Sequence, residues 1–289
     1  MRNQASSQCT LLTMDLLSLP VLSADHRIAY GPDPSQFGDL WIPEIKRRRR
    51  FPVVVFFHGG WWKSEYDLGY AGRVCAALKR EGIATWSVEY RRVGVTGGGW
   101  PMTFLDAAAG FDFVAKLAKA YPIDRSQILT MGHSAGGHLA FWVAGRHHVD
   151  RESEVFRRQP KLILRGAVSL AGAVDLRLTI DLSGNSIFAH DRDEVCALMG
   201  GGPEQQPRRY EAGNPGDLLP FQAPQILVQG TADDQIPPEL PGRWAEMSRR
   251  LGSEATVKMI PLADHFDVVD PASAAWNAAI EQVKSLIHR

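Results

Sequence analysis

Neither sign of charge is in excess in this chain: 32 Lys and Arg stand against 32 Asp and Glu. That balance removes the electrostatic case for nucleic acid or an anionic membrane as the main partner. Cysteine is scarce. The three residues (Cys9, Cys75, Cys196) are odd in number and lack metal-ligand spacing, which fits reduced thiols in a cytoplasmic protein and not a disulfide scaffold. The paired His147 and His148 have no third ligand at a sensible spacing, so no zinc site is expected. No apolar run is long enough to span a bilayer. The stretch 9–24 is faintly signal-like, but Asp15 interrupts its apolar part and only Arg2 precedes it, so residues 1–24 read as an N-terminal arm. Internal repeats and linkers are missing too. Residues 25–289 therefore read as one domain, and 45% hydrophobic residues over 289 positions can bury a large core.

What is present is an alternation of short apolar runs and longer amphipathic stretches, the pattern of a mostly parallel α/β sheet. Residues 27–43 hold two short extended pieces around Gly31-Pro32-Asp33-Pro34, an antiparallel hairpin at one edge. Strands are expected at 52–57, 83–88, 128–131, 162–170, 225–229 and 256–260, and helices at 68–80, 104–120, 239–251 and 272–287. The Lys46-Arg47-Arg48-Arg49-Arg50 run directly before an apolar strand reads as a solvated flank that blocks aggregation. Residues 175–224 break the rhythm with Gly200-Gly201-Gly202-Pro203 and scattered charge, and are expected to form a cap inserted between two strands.

Chemistry concentrates where strands end. Ile128-Leu129-Thr130-Met131 runs into Gly132-His133-Ser134-Ala135-Gly136 and then into a helix-forming stretch. This is the sequence form of a nucleophile elbow: Ser134 must sit in a strained strand-to-helix turn, and the residues two before and two after must lack bulk. A serine nucleophile needs a base and a site for the developing negative oxygen. Upstream, Val53-Val54-Val55-Phe56-Phe57 ends in His58-Gly59-Gly60-Trp61-Trp62, whose glycines let backbone N–H groups approach a substrate. Gly59, Gly60 and Ala135 are the expected oxyanion donors. Downstream, Gly230-Thr231-Ala232-Asp233-Asp234-Gln235-Ile236-Pro237 follows one apolar run, and Asp264-His265-Phe266 follows another. The order Ser, Asp, His belongs to α/β-hydrolases and not to the chymotrypsin or subtilisin arrangements.

On these motifs the chain resembles an α/β-hydrolase of the esterase group with an H-G-G-x-W oxyanion motif. Within that group it is similar to kynurenine formamidases and to small bacterial carboxylesterases related to the hormone-sensitive lipase group. His58-Gly59-Gly60-Trp61-Trp62 matches the motif residue by residue, Gly132 to Gly136 the elbow, Asp233 the acid and His265 the base, over about residue 30 to the C-terminus. The resemblance implies a twisted, mostly parallel eight-stranded sheet with helices on both faces and a small cap. It also implies a triad of Ser134, Asp233 and His265, no cofactor, no metal, and a small-molecule ester or formamide as substrate. An oligomer is compatible with it. A non-catalytic binding protein on the same scaffold is the alternative of another class, and it is disfavoured because all three triad residues are present.

Several of these residues have duller readings. Asp234 and Asp175 compete with Asp233 for the acid, and spacing from Gly230 and Ile236 favours Asp233. His58 reads as an anchor for its loop. Glu89-Tyr90-Arg91-Arg92 reads as a brace of ion pairs. Trp61, Trp62 and Trp100 fall on loops expected to border the site, and with His133 they are the candidates for an aromatic substrate wall.

Overall fold

The computed structural model describes residues 19–45, 50–158, 160–184 and 190–288. Of the expected N-terminal arm only residues 19–24 fall within this set; Cys9 and the rest of the arm lie outside it, as do Lys46 to Arg49 of the basic run.

Eight strands form one sheet in the order β1-β2-β4-β3-β5-β6-β7-β8. The edge hairpin is present: β1 (His26–Ala29) and β2 (Phe37–Trp41) pair antiparallel, and β2 pairs antiparallel with β4 (Ala84–Val88). From β4 onward every pairing is parallel, through β3 (Phe51–Phe57), β5 (Ile123–His133), β6 (Leu164–Leu170), β7 (Gln225–Gly230) and β8 (Ala255–Ile260). All seven residues of β3 are buried. Helices cover both faces of this central strand, so it reads as a continuous apolar run with no polar alternation. Val53, Val55 and Phe57 pack into one core layer, and Val54 and Phe56 into the other.

The first layer is closed by α2 (Met102–Asp112), α3 (Val114–Ala120), α4 (Ala135–Gly145) and α8 (Leu240–Arg250). The second layer is closed by α1 (Gly72–Arg80) and α9 (Ala274–Ile287). α1 is preceded by a 3₁₀ turn over Leu68–Ala71, capped by Asp67 Oδ1 accepting the Gly69 N–H at 2.7 Å. Two expectations are refined. The helix expected over 104–120 is divided at Phe113, whose ring lies over Trp86 at 5.8 Å. The elbow strand also reaches back to Ile123 through a register shift, since Phe51 pairs with Ile123 while Val53 pairs with Ile128.

Between β6 and β7, in the segment expected as a cap, run α5 (Leu176–Ser183), α6 (Asp191–Met199) and α7 (Pro207–Gly213). Asp175, the weakest candidate acid, caps α5: its Oδ1 accepts the Leu178 N–H at 2.9 Å. Burial pushes its carboxyl up to about 6. Lys63 Nζ, on the loop after β3, meets Glu194 Oε1 of α6 at 2.8 Å and ties the two segments together. Beside that tie the Asp191 carboxyl is fully buried, and among the described residues neither oxygen has a hydrogen-bond partner. His190 Nε2 stands 3.3 Å away on a half-exposed ring.

Two tests follow from this packing. Phe56→Ala should lower stability by about 3–5 kcal/mol, read as a lower urea midpoint with an unchanged slope. The second concerns Asp191. Burial, then the charges of Asp233 and Glu194, push its pKa from 3.8 up to about 8. Unfolded, the carboxyl loses its proton near pH 4; folded, it keeps it until near pH 8. The folded state thus binds more protons across that window, and this group's contribution to stability declines as pH rises through it. Asp191→Asn should therefore melt several degrees above the wild type at pH 8 and close to it at pH 4. A difference in Tm that does not change with pH would count against the buried, protonated carboxyl.

Candidate active site

Ser134 occupies the turn between β5 and α4 with φ 55° and ψ −123°, the strained geometry of an elbow. Both flanking glycines are required by contact. A Cβ on Gly132 would stand 2.0 Å from the Gly136 carbonyl oxygen, and one on Gly136 would stand 2.0 Å from that of Phe57. The turn is held by the Ser134 N–H donating to the Leu170 carbonyl at 2.9 Å and by its own carbonyl accepting from Gly137 and Ala173.

The structure brings Asp233 and His265 together. His265 Nδ1 lies 2.9 Å from Asp233 Oδ2 and 3.0 Å from Oδ1, and both residues are buried. Asp233 Oδ1 also accepts the N–H groups of Gln235 and Ile236 at 2.9 Å each, which fixes the carboxylate plane. Oδ2 accepts Gln229 Nε2 at 2.6 Å. A carboxylate fixed by this many donors accepts the His265 Nδ1–H and orients the ring. Asp234 is exposed, and among the described residues its carboxylate accepts only from the Gln235 side chain, at 3.2 Å. Sequence reading passed over Gln229. The available signal was a polar amide inside a buried strand, which must find partners. A second close approach seats the two loops together: a Cβ on Gly230 would stand 2.1 Å from the Ala263 carbonyl oxygen.

The loop after β3 is braced from below. His58 is fully buried, with Nδ1 2.8 Å from the Gly59 carbonyl oxygen and Nε2 3.1 Å from Glu89 Oε1, and its ring stacks on Tyr90 at 4.4 Å. Burial pushes the Glu89 carboxyl upward, but His58, Arg92 and the Tyr90 N–H outweigh it and leave its pKa lowered. Gly60, Trp61 and Trp62 follow with φ of 103°, 50° and 56°. At Gly59 the structure departs from expectation. Its N–H donates to Tyr70 Oη at 2.6 Å and is not available to an oxyanion. Among the described residues, the N–H groups of Gly60 and Trp61 have no hydrogen-bond partner. Ala135 opens α4, where an N–H has no intrahelical acceptor.

Ser134, His265, Gly60 and Trp61 line one cavity of about 80 Å³, together with Tyr66, Tyr70, His133, Gln235 and Phe266. Two of the expected wall residues are elsewhere. Trp62 is fully buried in the core, edge-on to His138 at 5.2 Å. Trp100 donates from Nε1 to Glu154 Oε2 at 2.8 Å and lines a separate cavity of about 470 Å³ with His148 and Arg208. His133 does border the site, but both ring nitrogens are engaged within the protein. Nδ1 lies 2.9 Å from Tyr70 Oη, and Nε2 lies 2.9 Å from the His265 carbonyl oxygen. Burial and then the neighbouring His265 hold its pKa well below 6.5, so the ring is neutral. Tyr66, Tyr70, Gln235 and Phe266 were not anticipated. Among the described residues, no group of three or more His, Cys, Asp or Glu could hold a metal ion, and no helix is long and apolar enough to cross a membrane.

The chain is 27% identical over 269 residues to a probable isoprenylcysteine alpha-carbonyl methylesterase of Oryza sativa subsp. japonica, covering 90% of the chain and 63% of that relative. It thus spans less than two thirds of the rice protein's length. It is 24% identical over 259 residues to the kynurenine formamidase of Drosophila melanogaster, covering 86% of the chain and 76% of that protein. Among solved structures, esterase B from Lactobacillus Rhamnosis superposes with a TM-score of 0.77 at 20% identity, over 99% of this chain and 94% of that one. That likeness concerns the fold, and with the sheet order above it shows an α/β-hydrolase fold. The BD-FAE family model matches residues 39–243, well over half of the sequence and including the braced loop, the elbow and Asp233, and the chain belongs to the BD-FAE family.

Proposed function

We propose that this protein is a serine hydrolase of small carboxylic esters, with Ser134 as nucleophile, His265 as base and Asp233 as acid. The observation that carries this reading is the 2.9 Å bond between Asp233 and a His265 that shares one cavity with the strained Ser134. His265 takes the Ser134 proton on Nε2 as the hydroxyl oxygen attacks the ester carbonyl. Asp233 holds the tautomer and stabilises the imidazolium that forms. The negative oxygen of the tetrahedral intermediate accepts from Gly60, Trp61 and Ala135 N–H groups, a stabilisation of about 3 kcal/mol per donor. Collapse expels the alcohol, which leaves with the proton from His265. Water, deprotonated by the same ring, then releases the acid and restores Ser134.

The cavity sets the acyl specificity. At about 80 Å³ it is small, with Trp61, Phe266 and Tyr66 as walls. Each methylene that fits adds about 0.8 kcal/mol of favourable burial until the wall is met. The same small cavity suits a formyl group, and the formamidase relative makes N-formyl aryl amides the second substrate class.

Ser134→Ala should abolish hydrolysis of p-nitrophenyl acetate while leaving Tm within a few degrees of the wild type; a variant that keeps most of its turnover sinks the nucleophile assignment. Asp233→Asn should lower kcat by roughly 10⁴ and Asp234→Asn by far less, with the reverse order moving the acid by one residue. Across p-nitrophenyl esters, kcat/KM should peak between acetyl and butyryl and fall for longer chains. A preference for palmitoyl would show that the site is open, and turnover of N-formylkynurenine well above that of the esters would favour the formamide reading.

A further inference from the structure

Three segments meet around Ser134: the loop after β3, the elbow, and the loop carrying His265. Two side chains join all three. The Gly59 N–H can only donate, so at 2.6 Å Tyr70 Oη accepts from it. The hydroxyl hydrogen of Tyr70 is then directed to its other partner, His133 Nδ1 at 2.9 Å, which accepts. That leaves the neutral ring with its hydrogen on Nε2, where it donates to the His265 carbonyl oxygen at 2.9 Å. Each group in the chain has a single role that satisfies all its neighbours. The rings are packed as well as bonded: His133 lies 4.7 Å from the His265 ring and 5.8 Å from Tyr70.

We propose that His133 and Tyr70 are positioning residues, a hydrogen-bonded strut that sets the distance between the base-bearing loop and the donor-bearing loop across the nucleophile. Gly59 is the last residue before the two unpartnered N–H groups, so its anchor point on Tyr70 decides where those donors stand. The carbonyl at the other end is the backbone oxygen of His265 itself, the residue whose ring must reach Ser134. The two side chains lie at opposite ends of the strut and act through backbone, which separates them from residues that touch the reacting atoms. This assignment rests on the serine-hydrolase reading.

The loss expected on breaking the strut is in kcat, because misplacing catalytic groups by about 1 Å costs on the order of 100-fold without loosening ground-state binding. Tyr70→Phe removes one oxygen and nothing else, leaving Gly59 N–H and His133 Nδ1 unpaired. With p-nitrophenyl acetate its kcat should fall about 10- to 100-fold while KM changes by less than about two-fold. His133→Leu should show a similar loss. His133→Gln should recover most of it, because an amide offers both the acceptor and the donor that the strut needs. The double variant Tyr70→Phe/His133→Leu should be no slower than the worse single variant, since either change breaks the same chain.

A Tyr70→Phe enzyme with wild-type kcat overturns the proposal, as does a loss confined to KM, a glutamine variant as slow as leucine, or fully additive losses. Should His133→Leu fail to fold, Tyr70→Phe and His133→Gln still decide. Ser134→Ala runs alongside. If it is inactive while Tyr70→Phe is unimpaired, the strut fails and the hydrolase reading stands; if it is active, both fall.

Discussion

Backbone touching backbone at the end of β5 is the constraint on which the rest depends. The elbow closes only because position 132 lies against the carbonyl of 136, and position 136 against that of 57, at distances no side chain could share. That contact makes β3 and β5 neighbours with their C-terminal ends together, so the loop after one strand overhangs the turn after the other. The parallel register then carries β6, β7 and β8 outward with the same polarity, and every loop that bears chemistry opens on one edge. Parallel pairing therefore serves the site directly. An antiparallel neighbour at β7 would have sent Asp233 to the far side of the molecule.

Around this contact the polar groups are organised by scarcity of water. His58, His133, Glu89, Gln229 and Asp233 are all buried, and a buried polar group without partners is costly. Each answers that cost by bonding to a different segment of chain: Glu89 to the loop after β3 and to the N–H of Leu68, Gln229 to the acid, His133 to two loops at once. The hydrogen bonds that remove desolvation penalties are the same ones that fix geometry. Rigidity at the site is thus a by-product of satisfying its interior.

The elbow turn and the meeting of Asp233 with His265 were legible because those residue types have few physical explanations in that setting. Glycines at 132 and 136 around a serine, a histidine after the last strand and a carboxylate after the one before are patterns that chance seldom supplies in that order. Strand direction was legible because short apolar runs alternate with longer amphipathic stretches along the chain. The reading went astray where the answer depends on a side chain's direction out of an unusual backbone. Trp61 and Trp62 are adjacent and chemically identical, yet successive left-handed turns send one to the cavity and the other to the core. Trp100 was placed by loop proximity, which says nothing about the Glu154 carboxylate that draws its N–H away. Gly59 was misjudged for a related reason. Its donor is spent on a tyrosine eleven positions later, from a helix that no local pattern connects to it.

The order of strands has a consequence for how the molecule is made. Apart from the exchange of β3 and β4, position in the sheet follows position in the chain. The growing polypeptide can therefore add β6, β7 and β8 one after another to an edge already formed, each new strand templated by the last. Ser134 follows β5, near the middle of the sheet, whereas His265 follows β8 at its edge. The elbow turn itself closes only when β6 supplies the Leu170 carbonyl that accepts the Ser134 N–H. The meeting of Asp233 with His265 is thus a property of the completed sheet, since β8 is the last strand to join it.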